Sequence, residues 1–162
     1  MRWLRHLFSG AWQVRRVFPP HTMQAIEADI RTSEVSHQGE IRFAMEAGLD
    51  IEALLRGQSA RARAIEVFSD LRVWDTEHNN GVLIYLLLAD HDVEIVADRG
   101  IDARVGAAGW QAVCTEIEWR LRAGRFEEGI RTGIQAVSSH LARHYPARGG
   151  DHNELPDAPV IL

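Results

Sequence analysis

At 162 residues, 46% apolar and 25% charged, the chain has the size and composition of one globular domain whose own core suffices, with no disulfide or metal needed to fold. A single cysteine, Cys114, excludes an internal disulfide, and the absence of lysine excludes Schiff-base chemistry and the lysine of a phosphate-binding P-loop. The net charge of -5 is uneven: residues 1–20 hold Arg2, Arg5, Arg15 and Arg16 and no acid, and the acidic remainder lacks the basic stripe that nucleic acid requires.

Residues 1–20 form a basic amphipathic segment. As a helix it puts Trp3, Leu7, Ala11, Val14 and Phe18 on one side and Arg2, His6, Ser9, Gln13 and Arg16 on another. Such a segment packs on its own domain, or docks through residues 1–18 on a membrane surface or a protein partner. Arg5, His6, Arg15 and Arg16 break the apolar run and no small-residue cleavage site follows, so it does not read as a secretory signal. No run of 18 apolar residues offers a transmembrane span. The expected location is cytoplasmic, or peripheral to the inner membrane face. Oligomeric state is not encoded in any pattern of the sequence.

Pro19-Pro20 ends this segment. Thr22 is the candidate cap of a helix striped by Met23, Ile26 and Ile30. A polar turn, Ser33 to Gly39, leads into a strand over Glu40–Ala47, where Ile41, Phe43 and Met45 alternate with Arg42, Ala44 and Glu46. Gly48–Gly57 reads as a linker with room for a helical turn. Ser59–Leu71 reads as a helix with Ala60, Ala64, Val67, Phe68 and Leu71 inward. Val82–Ala89 is apolar on both faces, as in a strand covered by helices on each side. Asp90-His91-Asp92 turns it into a second strand, Val93–Ala97. Gly106–Arg122 and Arg125–Tyr145 read as helices, with Trp110, Cys114 and Trp119 assigned to packing. His140 and His144, four residues apart near a helix end, read as surface residues favoured there by the helix dipole. Residues 147–162, with three of the five prolines, read as a flexible tail after a domain over 21–146.

These elements predict an α/β fold: a three-layer α/β/α sandwich around a small mixed sheet, part parallel and part hairpin. A helix between the strands at 40–47 and 82–89 favours their parallel pairing. The starts of both strands and the end of 93–97 then share one rim. Three segments meet there: Glu34–Glu40, Trp74–Asn80 and Asp98–Asp102. They bring carboxylates, two asparagines, His37 and His78 together. Clustered carboxylates repel one another, and a divalent cation relieves that repulsion. Hard oxygen donors suit Ca²⁺ or Mg²⁺, and the two histidines admit Mn²⁺ or Zn²⁺. The same residues are also ordinary cap and turn chemistry. An EF-hand is excluded, because Gly81 falls at the seventh loop position and Leu86 stands at the twelfth.

The run Asn79-Asn80-Gly81 with the apolar strand Val82–Leu88, the hairpin to Val93–Ala97, Gly100-Ile101, and then Phe126 with Gly129 and Gly133 resembles the TPM domain family, also called TPM phosphatase-like. His37-Gln38-Gly39-Glu40-Ile41 matches the opening of its first strand, and the resemblance spans residues 22–145. It implies an α/β/α sandwich, divalent cation binding at the rim, Ca²⁺ foremost, and in some members acid phosphatase activity. It differs from the family pattern at Asp98 and Arg99, where a glycine and an aromatic residue are usual. It differs again at Gly106-Ala107-Ala108, where many members place an aspartate. Family members are commonly exported or membrane-tethered, for which this sequence shows no segment.

Asp75, Asn80, Asp98, Asp102 and Glu40 are the candidate metal ligands, and His78 and His37 the candidate general acids. Two functions follow as expectations. One is a non-catalytic binding or assembly module linked to membrane-protein upkeep. The alternative is a metal-dependent acid phosphatase acting on phosphate monoesters.

Overall fold

The computed structural model describes residues 2–7 and 9–162. The side-chain positions expected for Arg2 and Leu7 lie outside the described residues. Among the described residues, four strands form one sheet in the order β3-β2-β1-β4. β1 (Glu40–Glu46) and β2 (Gly81–Leu87) run parallel, in register from Glu40↔Gly81 to Glu46↔Leu87. β3 (Asp92–Ala97) pairs antiparallel with β2, from Val82↔Ala97 to Leu87↔Asp92. The β1-to-β2 connection carries α4 (Ile51–Leu55) and α5 (Ala60–Asp70), the crossover that parallel pairing demands. Each starts on a side-chain cap: Asp50 accepts from Ala53 N–H (2.7 Å) and Ser59 from Ala62 N–H (3.1 Å).

The all-apolar run of β2 is buried along its whole length. Val82, Ile84 and Leu86 join one core, which receives α3 (Pro20–Ser33), α6 (Arg99–Arg122) and α7 (Phe126–His144). Leu83, Tyr85 and Leu87 join a second core under α4 and α5. Helices on both faces of a mixed sheet make the three-layer α/β/α sandwich that the pattern predicts. The Tyr85 hydroxyl donates to Glu46 Oε2 (2.7 Å), and Arg63 grips the same carboxylate (3.0 and 3.1 Å), so the polar tip of a buried ring is satisfied.

Several local expectations need correction. The first helical segment is two short helices, α1 (Arg2–Leu7) and α2 (Ala11–Val17). Val14 and Phe18 are buried, and Phe18 packs on Phe43 and Phe126 with ring centroids 6.0 and 6.2 Å apart. His6 is buried too: its Nδ1 accepts from Leu49 N–H (2.9 Å), so its Nε2 carries the hydrogen and donates to Asp90 (3.2 Å). Thr22 caps nothing; it is buried inside α3 and donates to Glu127 Oε2 (2.7 Å). The helix expected from Gly106 begins earlier: the polar stretch 98–102 is the start of α6, which Asp98 caps and which is broken at Gly106 (φ 77). Trp110 and Cys114 are core residues as expected, whereas Trp119 is exposed beneath the Arg125 guanidinium, 4.6 Å from its ring.

Residues 147–162 do not hang free. β4 (Val160–Ile161) pairs with β1 at Ala44↔Val160 and Met45↔Ile161. The Glu40 carboxylate accepts from Glu154 N–H (3.0 Å) and Leu155 N–H (3.3 Å), and Arg42 donates to the carbonyls of Pro156 and Ala158. The proline-rich composition conceals this, because the partners that hold the segment are side chains of β1. Glu40 and Arg42 are both buried, and a buried charge requires such partners.

Candidate functional site

The register of β1, β2 and β3 brings their ends at Glu40, Gly81 and Ala97 to one edge of the sheet, so the three predicted segments do meet. Close backbone contact explains the glycines there. A Cβ on Gly81 would stand 2.0 Å from the Val73 carbonyl oxygen, and one on Gly100 would stand 2.5 Å from that of Asn79. Only glycine lets the loop before β2 lie against the start of α6. Ile101 N–H then bonds Asn79 O (3.2 Å) and Asp98 N–H bonds Gly81 O (2.9 Å).

Asn80 is fully buried in this contact. Its Nδ2 donates to Gln38 O (3.1 Å), tying the approach to β1, while its Oδ1 has no hydrogen-bond partner among the described residues. Asp98 uses Oδ1 to accept from Arg99 N–H (2.7 Å), and its buried Oδ2 is likewise unpartnered. Two orphaned buried oxygens at one edge are the donor type that a hard cation takes, and to this extent the residues fit one.

The other expected ligands are engaged elsewhere. Glu40 is held by the C-terminal segment. Asp75 is exposed and paired with Arg72 (2.9 Å). Asp102 accepts from Trp110 Nε1–H (3.0 Å), a bond that fixes the two parts of α6 across Gly106. Among the described residues, no group of three or more His, Cys, Asp or Glu side chains is arranged to hold a metal ion.

The two histidines differ sharply. His37 is buried, and its Nδ1 bonds the Gly39 carbonyl (2.9 Å), so Nδ1 carries the hydrogen. Its Nε2 is a lone pair without a partner among the described residues, and burial lowers the pKa of the ring. His78 is exposed, 4.0 Å from Glu77 Oε2. They line separate small clefts of about 220 and 260 Å³, which share Gln38, Asp151 and His152.

Sequence reading missed a buried charge cluster beside this rim. Glu34 lies near Glu40 and Asp157; burial first, then those two carboxylates, push its carboxyl up to about 9. Asp157 accepts from Arg31 Nε–H (3.1 Å) and Asn153 Nδ2–H (2.7 Å). The available signal was Arg42, an arginine in the middle of a strand whose neighbours are apolar. His140 packs edge-on against Trp110, with centroids 5.4 Å apart.

Three comparisons place the chain among known proteins. Curated proteins yield no match. Among solved structures it is similar to the BA42 protein of the psychrophilic bacterium Bizionia argentinensis. The two are 30% identical, with a TM-score of 0.75, over 88% of this chain and 93% of that one. It also shares its fold with the N-terminal domain of a protein from P. gingivalis, at 18% identity and a TM-score of 0.62, over 80% of this chain and 81% of that one. The family model described as the TPM domain matches residues 14–140, from the buried face of α2 to the last turns of α7, and the chain belongs to the TPM domain family.

Proposed function

We propose that this TPM domain is a cation-responsive binding module without catalytic activity, serving the assembly or upkeep of membrane proteins from a peripheral position. The observation that carries the reading is the pair of buried, unpartnered oxygens, Asn80 Oδ1 and Asp98 Oδ2, at the rim where three segments converge. Oxygen donors of this kind favour Ca²⁺, then Mg²⁺, over the softer Mn²⁺ and Zn²⁺. A bound cation would neutralise the Asp98 carboxylate, whose Oδ2 has no partner among the described residues. It would also order the backbone that joins the loop before β2 to α6.

The alternative, a metal-dependent acid phosphatase, asks His37 or His78 to deliver a proton to a leaving oxygen. His37 is a poor general acid. Its one hydrogen sits on Nδ1 against Gly39 O, and burial disfavours the imidazolium that would place a second on Nε2. His78 is exposed, and the carboxylate nearest it, Glu77 at 4.0 Å, is exposed too. The binding reading is therefore preferred.

Thermal unfolding of EDTA-treated protein, repeated with Ca²⁺, Mg²⁺, Mn²⁺ and Zn²⁺, tests the reading. A rise in Tm with Ca²⁺ that exceeds the others is expected. No shift with any of the four ions sinks it. Turnover of p-nitrophenyl phosphate that survives His78→Ala but fails in EDTA would favour metal-dependent hydrolysis without His78.

A further inference from the structure

The end of the sheet opposite the rim carries a surface of different chemistry. There α2 and the turn after β2 enclose a cleft of about 420 Å³, whose lining includes Arg5, Trp12, Arg16, Leu88, His91 and Phe126. No carboxylate lines it among the described residues. Arg5 and Arg16 make no ion pair among the described residues, while the acids nearby are all engaged. Asp90 accepts from His6, and Asp92 is not without a partner. Glu127 is held by Thr22 and Arg131, and Glu128 by Arg120 and Arg125. The cleft therefore keeps an uncompensated positive charge over an apolar floor.

The same two helices expose large apolar side chains. Trp3, Leu4 and Trp12 are 47%, 49% and 60% accessible. The packing of α1 and α2 on the domain is already complete through His6, Val14 and Phe18, so the fold itself does not use these three.

We infer that this face docks on an anionic phospholipid bilayer, with the cleft seating a lipid phosphate against Arg5 and Arg16 while Trp12, which lines the same cleft, enters the headgroup layer. Guanidinium groups suit phosphate through paired N–H donors. Tryptophan is the side chain favoured at the water–hydrocarbon boundary. Basic residues without acids among them are drawn to an anionic leaflet. A helix seated in a protein groove needs a continuous apolar stripe over several turns. α1 and α2 are only six and seven residues long. The rim starts β2 and the cleft follows its end, seven residues on, about 20 Å away. A bilayer under the cleft leaves the rim facing away from it. The inference does not rest on cation binding.

Co-sedimentation of the full chain with vesicles tests it. Protein is expected to pellet with phosphatidylcholine vesicles containing phosphatidylglycerol at low salt, and to stay in the supernatant with phosphatidylcholine alone or at high salt. Arg5→Glu with Arg16→Glu should weaken binding about tenfold or more, each reversed charge removing attraction to the leaflet. Trp12→Ser should weaken it less. Circular dichroism checks that these exposed substitutions leave the fold intact. EDTA should change nothing, which separates this result from that of the rim. Absence of pelleting, or equal pelleting of the double variant, overturns the inference. Saturable binding of glycerol phosphate without vesicle binding assigns the cleft to a free phosphate compound and also overturns it. Self-association abolished by Trp12→Ser, without vesicle binding, overturns it in favour of a second copy of the chain.

Discussion

Asn80 and Asp98 close the open end of the β2–β3 pair from opposite strands, and each leaves one buried oxygen unpartnered. The backbone between them is continuous: Asp98 N–H donates to Gly81 O at 2.9 Å. Each side chain also makes one useful bond, Asn80 Nδ2 to Gln38 O (3.1 Å) and Asp98 Oδ1 from Arg99 N–H (2.7 Å). An unmatched buried acceptor costs roughly 1–3 kcal/mol. Both oxygens lie at the edge of the sheet where β2 begins and β3 ends.

Asp98→Asn separates the structural from the binding role of this residue. Asparagine caps helices about as well as aspartate, so stability without added metal should change by less than about 0.5 kcal/mol. The negative charge is lost, so any Ca²⁺-dependent rise in Tm should shrink strongly. Asp98→Ala should cost about 1 kcal/mol through the lost cap, with or without the ion. Thermal unfolding of all three proteins in EDTA and in Ca²⁺ provides the comparison. An undiminished Ca²⁺ response in Asp98→Asn removes this residue from the site.

Gly81→Ala tests the close contact that builds the rim. The added methyl would sit 2.0 Å from Val73 O and 3.1 Å from the Val73 Cγ1, and the first of these neighbours is backbone. Relief requires the turn after α5 to move away from β2. We expect a loss of about 1–3 kcal/mol or more in urea unfolding. The alanine variant should also weaken any cation response, because Asn80 precedes the displaced residue. A neutral effect would show that the turn yields without cost.

The sequence reveals the layers of this fold more readily than its ends. β2 declares itself, because only a strand sandwiched between helices is apolar on both faces. Placing the rim required only the parallel pairing of β1 and β2. The candidate ligands were harder. Asp75, Asp98 and Asp102 are alike in sequence, yet one pairs with Arg72, one caps α6 and one accepts from an indole. Spacing alone cannot assign those partners, since they are set by where α5 ends and by where α6 begins and breaks. The C-terminal segment was hidden for another reason: its anchors, Glu40 and Arg42, lie more than a hundred residues earlier. Local composition carries no trace of such a contact.

Cys114 should behave as a core residue rather than as a reactive thiol. It is buried within α6, and desolvation pushes its thiol up to about 12. The thiolate is the reactive form, so almost none exists at neutral pH in the folded chain. Labelling by Ellman's reagent should be slow in buffer and complete in denaturant. Prompt labelling of the native protein would show that α6 opens readily beside β3.

Glu34 gives the fold a pH dependence with a defined sign. Burial, then Glu40 and Asp157, raise its carboxyl to about 9 from an ordinary value of 4.5. Between those values the folded chain holds a proton that the unfolded chain has released. Its contribution to stability is complete below the lower value and is lost as pH rises through the upper one, with a slope of about 1.4 kcal/mol per pH unit for one proton. Glu40, also raised by burial, acts in the same direction. The buried histidine His37 has the opposite sense: its ring pKa is lowered from 6.5, so its contribution is complete above that value. Measurements between about pH 7 and 9 therefore separate the carboxyls from the histidine, while the Cys114 thiol, pushed up to about 12, adds the same loss to the parent chain and to a Glu34 variant toward the upper end. Glu34→Gln imitates the protonated form, with its oxygen still able to accept from Ile41 N–H, as Glu34 does at 3.3 Å. The variant should lose much of the decline in stability over that range and overtake the parent chain at the alkaline end. Amide exchange at Glu154 and Leu155, whose N–H groups bond Glu40, should quicken with pH in the parent and less so in the variant. Parallel stability curves for the two proteins would mean that Glu34 is ionised in the fold and compensated by Arg31 or Arg42.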